Sequence, residues 1–111
     1  MQDCLFCKII RKEISSDIVY EDEHLLVFRD KFPKAPTHLL VTPKKHIINL
    51  WDLDNDDEAL MGRLMSQLPV IAKKAGLSGF RTIINTGKES GQEIFHLHIH
   101  VLGGSTKLPG F

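Results

Sequence analysis

The sequence has no surplus of either charge: 14 basic and 14 acidic residues cancel over 111 positions. A domain that grips nucleic acid by neutralising phosphates usually carries a basic excess, so no nucleic-acid partner is expected. The pairs Lys44-Lys45 and Lys73-Lys74 are too short to change that. No apolar run approaches the roughly 20 residues of a membrane-spanning helix, so no membrane partner is expected either. The start, Met1-Gln2-Asp3-Cys4, lacks the basic-then-apolar layout of a secretory signal, which predicts a cytoplasmic protein. Cysteine is scarce, with only Cys4 and Cys7. Inside the cell such a pair serves as thiols or metal ligands more often than as a disulfide. Repeats, low-complexity tracts and linkers are absent. The length therefore predicts one domain over residues 1–111, large enough to bury its own core.

What is present alternates between strand and helix patterns. Leu5, Phe6, Ile9 and Ile10 fall at helical spacing and predict a short helix within Cys4–Glu13. Ile18-Val19-Tyr20 and Leu25–Arg29 read as strands around the polar turn Glu21–His24. Phe32–Pro36 reads as a loop, and Thr37–Thr42 as a strand ended by Pro43. A long helix is predicted from Asn55 to Ala75. Asn55 would be its N-cap with Glu58 as return partner, and Gly76 its C-terminal cap. Its apolar stripe holds Leu60, Met61, Leu64, Met65, Leu68, Ile71, Ala72 and Ala75, and Pro69 should bend it. Arg81–Asn85 and Glu93–Leu102 complete the strands, joined by the glycine loop Thr86–Gly91. Short links favour antiparallel pairing. The expectation is an α+β domain, with a sheet of about five strands, one long helix on a face and a short N-terminal helix.

The last predicted strand carries the chemistry. In Phe95-His96-Leu97-His98-Ile99-His100-Val101, strict alternation puts the four apolar residues on one face and three histidines on the other. Three imidazoles in a row are poor filler for an apolar face and unnecessary on a wet one. They can hardly converge on one metal, because residues four apart on a strand are about 13 Å apart. A reactive row fits better. A neutral imidazole offers a lone pair for attack on phosphorus, while its neighbours hold oxygens or move protons near neutral pH. The glycine loop before the strand would let backbone N–H groups approach an anion.

His96-Leu97-His98-Ile99-His100-Val101-Leu102 resembles the motif of the histidine triad (HIT) family. Gly103-Gly104, Ala35-Pro36-Thr37-His38, Pro43-Lys44-Lys45-His46-Ile47 and Cys7–Ile14 resemble its Hint branch, over nearly the whole chain. The resemblance implies a HIT-like fold, a homodimer, and hydrolysis of purine nucleoside phosphoramidates and related nucleotidyl compounds. The catalytic group would then be His98 as nucleophile, with His46, His96 and His100 around the phosphate of an AMP or GMP derivative. Asp30 would hold the ribose. Leu5, Phe6, Ile9 and Phe28 would flank the base, and Asn85, Gly91 and Gln92 would line the phosphate side. Glu93 stands where better-known animal members carry serine, and Lys31 where an apolar residue is familiar near the sugar.

Cys4-Leu5-Phe6-Cys7 has the gap of a zinc half-site. Some bacterial members resembling this chain complete such a site with the histidines matching His46 and His96. The resemblance thus implies a structural zinc on Cys4, Cys7, His46 and His96, and no cofactor required for catalysis. Two reduced thiols at a helix start are the other reading. Two further functions stay open. One is a nucleotide-binding regulator with little turnover. The other is a dinucleoside polyphosphate hydrolase, against which Gly103-Gly104 and the Pro-Lys-Lys-His block argue.

Overall fold

The computed structural model describes residues 3–105 and 108. Two helices and five strands form its regular structure. They are α1 (Leu5–Ile10), β1 (Ile18–Glu21), β2 (Leu25–Arg29), β3 (Thr37–Pro43), α2 (Glu58–Lys74), β4 (Phe80–Ile83) and β5 (Ile99–Gly103). The strands make one antiparallel sheet in the order β1-β2-β3-β5-β4. The expected α+β architecture is therefore observed. No helix among the described residues is long and apolar enough to cross a membrane.

The central strands explain themselves by burial on both faces. β2 reads Leu-Leu-Val-Phe without alternation because α2 covers one face and α1 the other. Leu25, Val27, Leu39, Val41, Ile99 and Val101 pack with Leu64, Leu68 and Ile71 of α2. Leu26, Phe28 and Leu40 pack with Phe6 and Ile9 of α1. Each such side chain contributes roughly 1.5–3 kcal/mol when fully buried. A helix of only six residues is not stable alone. α1 persists because Phe6, Cys7 and Ile9 are buried, and because the Cys4 sulfur caps it by accepting from the Cys7 N–H at 3.4 Å.

Several boundaries differ from expectation. The cap before α2 is Asp54, not Asn55. Asp54 accepts from the Asp56 N–H, and Asp57 accepts from the Asp54 N–H, so the box is built from aspartates one residue earlier. Asn55–Asp57 form a 3-10 turn and the α-helix starts at Glu58. Lys45 binds the buried Asp57 at 2.5 Å, tying the residue before His46 to this start. The helix continues through Pro69. Met65, whose carbonyl loses its partner there, is half exposed, so water can take the bond and the expected apolar stripe is interrupted. Gly76 does cap the C-terminus. It adopts φ +79°, and the Leu77 and Gly76 N–H groups return to the Ala72 and Lys73 carbonyls.

The fourth strand is Phe80–Ile83, not 81–85. The largest departure is the fifth strand. It begins at Ile99, and residues 93–98 run outside the sheet. Alternation therefore fails at its start, and Phe95 is 45% exposed instead of lying in the core. The register explains the switch. Ile99 pairs with Val41 at the far end of β3, where Thr42 and Pro43 pair only with β2.

Candidate active site

The two triad histidines that precede β5 are held by backbone groups. The Leu97 N–H donates to the Ile47 carbonyl at 2.6 Å. His96 Nε2 lies 2.8 Å from the Pro43 carbonyl, so Nε2 carries the proton and Nδ1 the lone pair. His98 Nδ1 lies 2.7 Å from the His96 carbonyl, so Nδ1 is protonated and Nε2 is the free base. An imidazole with an unshared pair on its outer nitrogen results. The edge of Phe6 packs against the His98 ring, with centroids 5.0 Å apart at 81°.

His100 is organised by a fourth residue. On β3, Leu40 pairs with His100, and His38, two residues earlier, shares its face. The Lys34 N–H donates to His38 Nδ1 at 3.1 Å, which leaves the His38 proton on Nε2. That proton points at His100 Nδ1, 2.9 Å away, and Asp30 Oδ2 lies 3.4 Å from the same Nε2. His100 must then carry its own proton on Nε2, as a donor. Asp30 Oδ1 accepts from the Phe32 N–H at 2.8 Å, fixing the carboxylate at the end of β2. In the sequence His38 stands only within the Ala35-Pro36-Thr37-His38 block, with no task of its own. A histidine interrupting Thr-His-Leu-Leu-Val in a central strand was the available signal.

Burial governs the charge of these rings. His96 and His98 are 0% and 7% exposed, because α1 covers the face expected to be polar. Desolvation lowers the pKa of His96 to about 4, and the same cause lowers His98, His38 and His46. His100 is lowered to about 4, again chiefly by burial and then by His98 and His38. All five are neutral at pH 7. An unfolded histidine titrates near 6.5. Below that pH the unfolded chain binds a proton at residue 100 that the folded chain refuses until about pH 4. Stability is therefore complete above about pH 6.5 and falls as acid approaches pH 4. Thermal melts should show a plateau above neutrality and a decline across this window, with a shallower slope in His100→Gln. An equal slope in that variant would contradict the account.

The structure divides the four histidines assigned to the phosphate into two groups. His46 and His96 face the cysteines. His96 Nδ1 is 3.4 Å from Cys4 Sγ and 3.5 Å from Cys7 Sγ, and His46 Nδ1 is 3.3 Å from Cys7 Sγ. All four ligand atoms lie within 4.8 Å of one another. A zinc tetrahedron with Zn–S near 2.3 Å and Zn–N near 2.0–2.1 Å has edges of roughly 3.3–3.8 Å. The donor set fits zinc in type and spacing, and the His96 tautomer presents its lone pair correctly. Burial and the neighbouring Cys4 push the Cys7 thiol up, so a thiolate there calls for a cation. Asp30, His38 and His100 are equally close together. They fit a metal poorly, because the His38 nitrogens are already committed as one acceptor and one donor.

The remaining candidates surround these groups. Phe6, Ile9 and Phe28 are buried, with Phe6 and Phe28 edge to face at 5.3 Å, while Leu5 is 41% exposed. Glu93 is exposed and joins Cys4, Leu5 and His46 around an open cleft of about 380 Å³. Asn85 and Gly91 lie at either end of the glycine loop, with Asn85 part-buried and Gly91 exposed. Gln92 is buried and its amide is turned into the protein.

At the start of β5 a neutral imidazole is thus presented as a free base, beside a second imidazole held as donor, an arrangement chemically able to attack an electrophile. The HIT domain model matches residues 11–107, and the chain belongs to that family. It is 50% identical over 104 residues to the protein HitA of Neisseria gonorrhoeae, covering 93% of this chain and 97% of that one. Among solved structures, a histidine triad protein from Clostridium difficile superposes with a TM-score of 0.94 at 44% identity, covering 100% and 97% of the two chains. A HIT family hydrolase from Legionella pneumophila gives 0.91 at 44% identity, covering 94% and 95%.

Proposed function

We propose that this protein hydrolyses purine nucleoside phosphoramidates and related nucleotidyl compounds through a nucleotidyl intermediate on His98. The observation that carries the reading is the pair of ring protons. His98 has its proton on Nδ1, bound to a carbonyl, and its lone pair on Nε2. In the first step Nε2 attacks the α-phosphorus, the P–N bond breaks, and the amine leaves with the electron pair and takes up a proton from solvent. His100 carries its proton on Nε2 and would keep it while donating a hydrogen bond to a phosphate oxygen, with His38 behind it. Water then cleaves the Nε2–P bond and releases the nucleoside monophosphate. Turnover of adenosine 5′-phosphoramidate to AMP should far exceed cleavage of diadenosine triphosphate. The reverse preference would favour the dinucleoside polyphosphate reading. Tight AMP binding with no turnover of either compound would favour a regulator.

On this reading Asp30 receives the ribose. One of its oxygens faces His38 and the other accepts one N–H, so lone pairs remain for sugar hydroxyls. Each hydrogen bond to a charged acceptor contributes about 1.5–3 kcal/mol. Asp30→Ala should therefore weaken AMP by tenfold or more, on the order set by one such bond, while 2′-deoxy-AMP is weakened far less. Equal weakening in calorimetry would assign Asp30 another task.

We further propose that Cys4, Cys7, His46 and His96 hold a zinc ion. A closed set of two thiolates and two imidazoles leaves no position for water, so the ion supplies structure and not a nucleophile. We also propose a two-fold homodimer. Among the described residues no strand pairs with the outer edge of β4, and Phe80 on it is 39% exposed. An exposed edge is a template for pairing with another chain, and two-fold dimers are the commonest oligomers. Sedimentation at micromolar concentration should give twice the 12.6 kDa chain mass; a monomer would count against it.

A further inference from the structure

We propose that Gln92 is a positioning residue that locks the glycine loop and the segment bearing His96 and His98 into place. The inference rests on His98 being the nucleophile. It begins with the early end of the sheet. Residues 93–98 have no strand ladder, so other bonds must fix the nucleophile. One is the Leu97 N–H to the Ile47 carbonyl. The His96 and His98 rings add their bonds to the Pro43 and His96 carbonyls, and Gln92 supplies a further set.

Its side chain is 3% exposed and makes four hydrogen bonds. Nε2 donates to the Ile48 carbonyl at 2.8 Å and to the Ile94 carbonyl at 3.1 Å. Oε1 accepts from the Gly87 N–H at 2.8 Å and from Asn49 Nδ2 at 3.2 Å. The backbone partners can play only one role each, so the orientation of the amide is fixed. A primary amide has two protons and two lone pairs, and all four are used. The Gln92 N–H is also taken, by the Gly87 carbonyl at 3.2 Å. Neither group retains capacity for a phosphate.

The four partners lie on three separate stretches of chain. Gly87 opens the glycine loop. Ile48 and Asn49 follow His46 and the Ile47 carbonyl that holds Leu97. Ile94 stands two residues before His96 and four before His98. Gln92 thus bridges the stretch carrying His46 to the stretch carrying the nucleophile, and pins the loop to both. Losing such a bridge moves reacting atoms by fractions of an ångström without removing any substrate contact. A displacement near 1 Å can slow chemistry by about 100-fold.

Two variants of similar size test this. Gln92→Glu keeps both acceptors and loses both donors, whereas Gln92→Met loses all four bonds. Each is expected to lower kcat for adenosine 5′-phosphoramidate by roughly 10- to 100-fold, with a much smaller change in KM. Amide exchange gives a separate readout. Leu97 should lose protection in both variants, whereas Gly87 should lose it in Gln92→Met and keep it in Gln92→Glu. A raised KM with unchanged kcat would make Gln92 a substrate contact and overturn the proposal. Unchanged kcat and unchanged exchange would do the same. Should Gln92→Met fail to fold, Gln92→Glu carries the test. If the wild type does not turn over the phosphoramidate, the functional reading fails, and exchange at Leu97 and Gly87 still decides the clamp.

Discussion

His98→Ala is expected to lower kcat/KM for adenosine 5′-phosphoramidate by about four orders of magnitude or more, as removal of a covalent nucleophile does elsewhere. AMP affinity should change far less, because the ring is needed for bond formation more than for docking. The expectation follows from the directions of the three lone pairs. That of His96 points at the thiols, that of His100 receives the His38 proton, and among the described residues only that of His98 is unclaimed. Mass spectrometry of a rapidly quenched wild-type reaction should find the nucleotidyl group on residue 98. An adduct on His96 or His100, or a residual rate within tenfold of wild type, would remove His98 from its role.

The second large effect concerns the thiol cluster. Protein purified without chelator should contain about one zinc per chain, since four ligands make one site. Cys4→Ser combined with Cys7→Ser should lose the ion and melt roughly 5–10 °C lower, each kcal/mol being worth about 4–8 °C at this chain length. α1 is short and depends on its anchors. Without the cluster only its apolar contacts with β2 and β3 and its packing against His96 and His98 remain. Occupancy should fall in acid, because thiols must lose their protons to bind. Most phosphoramidate turnover should survive. Loss of turnover in a fully folded, zinc-free protein would make the ion catalytic. Metal-free protein from a zinc-replete preparation would dismiss it.

Much of this was legible in the residues, and the misses have physical causes. Leu25–Arg29 and the helix signals around Gly76 were readable because local chemistry sets them. The early end of β5 was not. His96 and Leu97 have perfect alternation, yet the β3–β5 ladder stops at Val41 and Ile99 while Thr42 and Pro43 pair only with β2, and pairing across a sheet cannot be seen from one strand. The same limit hid the burial of the histidine face, which depends on where α1 docks. Asp54 displaced Asn55 as cap because three aspartates and an asparagine compete within Asp54–Asp57, and side-chain direction decides among them. The cysteine pair and His46 with His96 were named from resemblance, and the structure brings their ligand atoms together. His38 and Asn49 acquire a purpose only through partners far away in the chain, His100 and Gln92.

The placement of ring protons has a last consequence. His96 is oriented by the Pro43 carbonyl, His98 by the His96 carbonyl, and His38 by the Lys34 N–H. Peptide groups of this kind do not ionise at any pH a protein survives. Where a carboxylate orients a catalytic imidazole, acid disables the guide as well as the ring. Here the guides of His96 and His98 are indifferent to acid, so those two rings keep their facing until they are themselves protonated, whereas His100 is faced by the His38 ring, which can itself take up a proton. Before the fold itself loosens toward pH 4, His98 should therefore lose its free base by gaining charge with its carbonyl partner still in place, and should recover at once when base is returned.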